Sequence, residues 1–517
     1  MNVCGALRTP RPTSADFEDD GRGRRLEREV EQFFSYPLVS WRKFFILQKN
    51  SGYTAGFILF QGVNTNSATR PEQKQKENMK PVTLSAILLG AACGWSHHCP
   101  ADDAPARTAQ VLHEYTLGSF DVSNFGLTPA EIADGQANGL TRIDLPAIGS
   151  GLQRLAGNNY VSITDRGPTF TRTTPTPGRV FPLPNYTPSL VFFQAIGDQI
   201  LPHTVIGIVV DDAGTPATGI PNSATEDSVP FASPTATTPL SYNPNGMDIE
   251  DLHTLPDGNF IVVDEYSPSI AIISDAGKVL KRYTPHGKTL AGAAYPVADT
   301  LPAILAQRRS NRGFESIAVS GDGQTAYTMT QSPLGPTSSG SPTRNSRILR
   351  ILRLDVTDPL NLQVTGQFLV QLSPASAYPA GNRPQDLKVS AAAWVNDDKL
   401  LILERSDEVN IGGAKLILVD LASATDVSGL PQAQTLALED SSLVLSTLGI
   451  TPAATSVVYE NGETPEITDF KLEGLSILNS NDVAISNDND FGIVDAGTGN
   501  PSRMWIIRLR DRLPRNR

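Results

Sequence analysis

Residues 471–492 read KLEGLSILNSNDVAISNDNDFG. Two apolar runs, LSIL and VAI, flank the turn-forming NSND, which is the pattern of a β-hairpin. The hairpin opens at a carboxylate, Glu473, and finishes in a polar cluster from Asn487 to Asp490. Four other stretches share this design: GSGLQRLAGNNYVSITDRG (149–167), MDIEDLHTLPDGNFIVVDEY (247–266), RGFESIAVSGDGQTAYTMTQ (312–331) and KVSAAAWVNDDKLLILERS (388–406). Each places a turn signal between two apolar runs of strand length.

Counting fixes the register. With Ser150, Glu250, Glu315, Ser390 and Glu473 as starting positions, Asp165, Glu265, Thr330, Arg405 and Asp488 stand fifteen residues later. The first residue of one hairpin strand and the last of the other lie at the same end, so each repeat puts a polar pair on one rim. Further strand-like pieces follow most hairpins: SIAIISDAGKVLKRY from 269, RILRILRLDV from 347, KLILVDL from 415 and MWIIRLRD from 504. Four strands per repeat is the grammar of a β-propeller blade. An all-β propeller is expected, with six blades as the leading count and five or seven as alternatives. The extra blade is placed near VIGIVVDD from 205, and HEYTLGSFDV near 113 is expected to supply the strand that closes the ring.

Composition agrees with this class. The chain has 517 residues, with 42 Gly and 39 Pro spread along it, which favours many turns between short strands. A formal charge of -12 without basic clusters in the body excludes a nucleic-acid surface. Cys4, Cys93 and Cys99 cannot staple so large a fold, and no CxxC pair offers a zinc site. MKPVTLSAILLGAAC from Met79 has the layout of a secretory signal peptide and is too short for a permanent membrane anchor. The expected organisation is therefore an upstream extension over 1–78, a signal peptide over 79–100 and one propeller domain over 101–517. The mature protein would be secreted or periplasmic, monomeric and without a transmembrane span. Cleavage before Cys93 would give a lipoprotein, although Gly90 stands where such signals usually carry Leu.

First strands of propeller blades line the central channel, so the starting positions should converge on its axis. Asp165, Glu250, Glu315, Glu473, Asp488 and Asp490 would then form a crowded acidic rim. Such a rim needs a cation, and oxygen ligands without His or Cys suit Ca2+ ahead of Mg2+.

In this order the motifs GSGLQRL...YVSITDRGP, DIEDLHTLPDGNFIVVDEY, NRGFESIAVSGDGQTAY, LLILERS and LEGLSIL...NDNDFG resemble the phytase-like domain family, also called "esterase-like activity of phytase". The resemblance spans about residues 110 to 512, lacks the long DDPA-type motif of the β-propeller phytases, and implies an extracytoplasmic propeller with ester or phosphate-ester chemistry. On that reading, Ca2+ would polarise the substrate and hold a water. Arg166, Arg312 and Arg405 would orient the anionic oxygens of a small ester or phosphoester, and Glu265 or Glu404 would act as general base. The bland alternative makes the Arg residues structural partners of neighbouring carboxylates and the protein a noncatalytic binding or scaffold module with a structural calcium ion. No GxSxG elbow, HExxH pair, P-loop or Rossmann fingerprint competes with these readings.

Overall fold

The computed structural model describes residues 108–406, 413–469, 471–493 and 500–514. The expected extension and signal peptide lie outside them. The described chain enters at β1 (Gln110–Leu117), passes through a capped helix, α1 (Pro129–Ala137), and reaches the hairpin β2 (Gly151–Ala156) and β3 (Asn159–Ile163). Two short strands, β4 (Phe170–Arg172) and β5 (Gly178–Val180), precede β6 (Ser189–Ile196) and β7 (Gln199–Gly207), and β8 (Pro230–Phe231) pairs with β5. The second sheet runs β9 (Ile249–Thr254), β10 (Phe260–Asp264), β11 (Ser269–Ile273) and β12 (Val279–Pro285), with β13 (Val297–Leu301) added in parallel outside. Next come β14 (Phe314–Val319), β15 (Thr325–Thr330), β16 (Ile348–Asp355) and β17 (Gln363–Gln371). The fourth sheet is β18 (Leu387–Asn396), β19 (Lys399–Ser406), β20 (Ala414–Asp420) and β21 (Ala454–Glu460). Last are β22 (Leu472–Ile477), β23 (Asp482–Asn487) and β24 (Arg503–Arg508).

The last three strands lack a fourth of their own, and β1 supplies it by pairing antiparallel with β24 from Gln110↔Arg508 to Thr116↔Arg503. The N-terminal strand thus closes the ring, as the sequence suggested. A two-residue parallel contact of β1 with β7 then joins the first and last sheets into one eight-stranded sheet. The innermost strands touch in a closed cycle: β2 with β9, β9 with β14, β14 with β18, β18 with β22, and β22 with β2. This arrangement is a β-propeller.

VIGIVVDD does not open a blade. Its start completes β7, which pairs along its length with β6, and Val209 beyond it makes only isolated bridges. An outer strand has the same apolar composition as an inner one, so composition could not separate the two. Among the described residues the strands form sheets of eight, five, four, four and three strands.

Alternation explains why these strands are apolar on both faces. In β10, Phe260 and Val262 join the core shared with the first sheet, while Ile261 and Val263 join the core shared with the third. Successive side chains point to opposite faces, so a strand sandwiched between two sheets feeds two cores. Equivalent apolar layers lie between the third and fourth, fourth and fifth, and fifth and first sheets. No helix among the described residues is long and apolar enough to cross a membrane.

Candidate functional site

At the start of four inner strands the ladder skips one residue. In β9, Asp251 pairs with Val263 and Ile249 with Asp264, leaving Glu250 out. Glu315 in β14, Ser390 in β18 and Glu473 in β22 are skipped in the same way. A bulge leaves its extra residue unpaired and re-aims the side chain. Four of the five starting positions read from the sequence are thus bulged residues of the inner strands, whereas Ser150 lies just ahead of β2.

The tightest group joins Glu250 and Glu265 with Asp248, whose nearest carboxylate oxygens all lie within 4.8 Å of one another. All three side chains are buried. Neither Glu265 oxygen has a hydrogen-bond partner, and neither is reached by solvent. Gly313 makes room for this residue, because a Cβ at Gly313 would fall 2.5 Å from the Glu265 Cα. Burial, reinforced by Asp248, pushes the Glu265 carboxyl up to about 7, with Arg166 pulling the other way. Burial and the Glu315, Asp248 and Glu265 charges hold Glu250 well above the usual carboxylate range. The Glu265 oxygens, buried, unmatched by donors and close to two further buried carboxylates, fit a hard cation.

Side-chain cations already answer most of the other predicted ligands. Arg166 pairs with Asp248 and reaches Glu265 at 3.9 Å and Asp227 at 3.5 Å. Arg405 pairs with Glu473 and donates through Nε to Ser390 Oγ at 2.6 Å. Lys471 bridges Asp488 and Asp490. Its ammonium overrides the effect of burial and holds Asp488 below the usual range, whereas burial still leaves Asp490 raised. Asp165 accepts from the Gly167 N–H at 2.8 Å; burial and the charges of Asp488 and Asp248 push it well up. Glu315 accepts from the Gln331 amide, and Arg312 donates to Ser332 Oγ at 2.8 Å.

Glu404 does not belong to this group. Its carboxylate accepts from Tyr378 Oη and the Ser373 N–H, both at 2.9 Å, and so faces away from the channel. The reason is strand geometry: Arg405 next to it faces the axis, and neighbours on a strand point to opposite faces. His253 sits toward the other end of the inner strands, in a cavity of about 240 Å³ with Arg154 and Trp394.

Sequence reasoning missed Asp248, Asp227, Arg179, Gln331, Lys388 and Lys471. Asp248 lies two residues ahead of the counted register, so its same-face spacing from Glu250 could have revealed it. Asp227 and Arg179, which pair at 2.8 Å, come from the long inserts of the first repeat, where no periodicity points to them. Lys388 is buried at the start of β18, and its charge lowers Glu265, Glu315 and Glu473 alike.

The raised carboxyls dictate a pH response. Burial pushes Glu473 up to about 7 against the pull of Lys471 and Arg405, so it and Glu265 both sit above their ordinary 4.5. Between about 4.5 and about 7 the unfolded chain has released these protons while the folded chain keeps them, so stability falls as pH rises. Melting in chelator is expected at a lower temperature at pH 7.5 than at pH 5. A melting temperature that climbs over this interval would contradict the assignment.

No curated protein matches the sequence. Among solved structures, a Lactobacillus plantarum protein is 13% identical over 66% of this chain and 77% of its own, with a TM-score of 0.28. PQQ-bound aldose sugar dehydrogenase from Streptomyces coelicolor is 10% identical over 78% and 99%, with a TM-score of 0.31. The Cps50 (Swd1) β-propeller domain from Myceliophteria thermophila is 11% identical over 70% and 99%, with a TM-score of 0.24. Likenesses this remote carry no weight for fold or activity. A family model described as phytase-like, esterase-like activity of phytase, matches residues 146–491, which takes in every carboxylate of the rim and leaves out β1 and β24. With most of its length matched, the chain belongs to the phytase-like family.

Proposed function

We propose that the protein is a secreted, calcium-dependent hydrolase of small ester or phosphomonoester substrates, built as a five-bladed propeller and acting as a monomer. The observation that carries this reading is the pair of unpartnered, buried Glu265 oxygens beside Asp248 and Glu250. These three residues would hold the ion, with Glu265 serving as a ligand rather than as the general base. A bound Ca2+ would supply polarisation of an ester or phosphoryl oxygen. Arg166 steadies Asp248 and limits repulsion within the group. Arg312 and Asn311, both half-buried, would orient an anionic substrate.

A second reading has an observation of its own. The Glu265 oxygens are sealed from solvent, which favours a structural ion in a noncatalytic binding module. Hydrolysis of p-nitrophenyl phosphate, p-nitrophenyl acetate and phytate, each with Ca2+ and with chelator, separates the two. Calcium-dependent turnover supports the hydrolase. A calcium-dependent melting temperature without turnover on any substrate would give first place to the binding module.

A further inference from the structure

Buried oxygens without partners recur at one more place on the rim. Glu315 Oε2 and Gln331 Oε1 have no hydrogen-bond partner, and their side chains are only 2% and 5% exposed. The two residues are joined, since the Gln331 amide donates to the other Glu315 oxygen. Both orphaned atoms are acceptors, and burying an acceptor unmatched costs about 1–3 kcal/mol. A donor or a cation must complete such a pair, and solvent does not reach either atom. A carboxylate oxygen with an amide oxygen is a donor set suited to a hard cation.

This pair is distinct from the first group. Glu315 is not among the three carboxylates whose oxygens cluster within 4.8 Å. The two are nevertheless neighbours, and Gly313 links them: a Cβ on it would meet the Glu265 backbone, while its carbonyl accepts from the Gln331 N–H at 2.8 Å. The Gln331 carbonyl in turn accepts from the Val389 N–H at 2.9 Å. Gln331 is therefore fixed from both sides at the junction of the third and fourth sheets, and Glu315 is aimed by its bulge.

We propose that Glu315 and Gln331 form a second cation position, beside the one on Asp248, Glu250 and Glu265. The proposal rests on the reading of the first position and adds a ligand, Gln331, that carries no charge and belongs to no sequence motif of acidic residues. It makes the rim a site for two cations rather than one.

Counting calcium ions per chain tests it, by equilibrium dialysis and native mass spectrometry on the full chain, for the wild type, Gln331→Leu and Asp248→Asn. Two ions are expected in the wild type. Gln331→Leu should keep one and weaken the other by about tenfold or more, and Asp248→Asn should weaken the complementary ion. A wild type saturated by one ion overturns the second position without reference to any variant, so a misfolded variant does not leave the question open. A Gln331→Leu protein that still holds two ions with unchanged affinity overturns it as well. A wild type that binds none overturns both positions together, whereas one ion lost in Asp248→Asn and kept in Gln331→Leu overturns the second alone.

Discussion

Glu265→Gln is expected to abolish calcium-dependent hydrolysis, by at least about 100-fold in kcat/KM, while leaving the metal-free protein as stable as the wild type or more so. The two effects have opposite signs for one physical reason. Both Glu265 oxygens are buried without a hydrogen-bond partner, so in the absence of an ion the carboxylate is a burden on the fold. With its carboxyl pushed up to about 7 from 4.5, ionisation at pH 8 costs the folded state on the order of 1–3 kcal/mol. Gln has nearly the same volume and no charge, so it removes that cost and the proposed ligand together. Melting curves at pH 8 in chelator and in excess Ca2+ check the claim. The wild type should show a large calcium-induced rise, and the variant a higher baseline with a smaller rise. A variant that melts well below the wild type in chelator would mean that Glu265 holds the fold through contacts, and the cation site would lose its main support.

Arg350→Met should produce the largest loss of stability away from the site, about 3–5 kcal/mol. Arg350 on β16 is fully buried and grips Glu439 with two parallel bonds, Nε to Oε1 at 2.5 Å and Nη2 to Oε2 at 2.8 Å. It also donates to the carbonyls of Ala433 and Thr435. These partners belong to the long connection between β20 and β21, whose 3-10 segments Pro431–Gln434 and Leu436–Glu439 pack on β16 and β17 through Ala433, Leu438, Ile348 and Leu369. Met fills much of the space but leaves the Glu439 carboxylate buried without a counter-charge. Adding Glu439→Leu removes that charge and should recover most of the loss. Urea unfolding of the single and double variants measures both steps. Equal destabilisation by the two would show that packing, and not the buried charge, sets the effect.

The hairpin motifs made the propeller legible because turn signals and apolar runs are local. The strand that closes the ring was legible too, since the last repeat visibly lacked an outer strand. VIGIVVDD misled because the half-buried apolar end of an outer strand has the same composition as an inner one. At the site, spacing located Glu250, Glu315 and Glu473 but could not show that each occupies a bulge, which depends on the pairing partner. The alternation rule already held the answer for Glu404: once Arg405 faces the axis, its neighbour cannot. Asp227 and Arg179 were out of reach, because they arrive from long inserts and meet the rim only through tertiary folding.

The pairing of β1 with β24 has a consequence for how the fold assembles. Tyr115 lies opposite Met504, a contact that spans nearly the whole described chain. Apart from the contact of β22 with β2, which closes the same seam, the neighbours in the ring come from nearer stretches of sequence, so this seam carries the greatest loop-closure entropy. Among the described strands, the first to emerge from the ribosome waits for the last. The acidic rim needs all its inner strands around one axis, so its geometry becomes complete only when the two most distant parts of the chain have met.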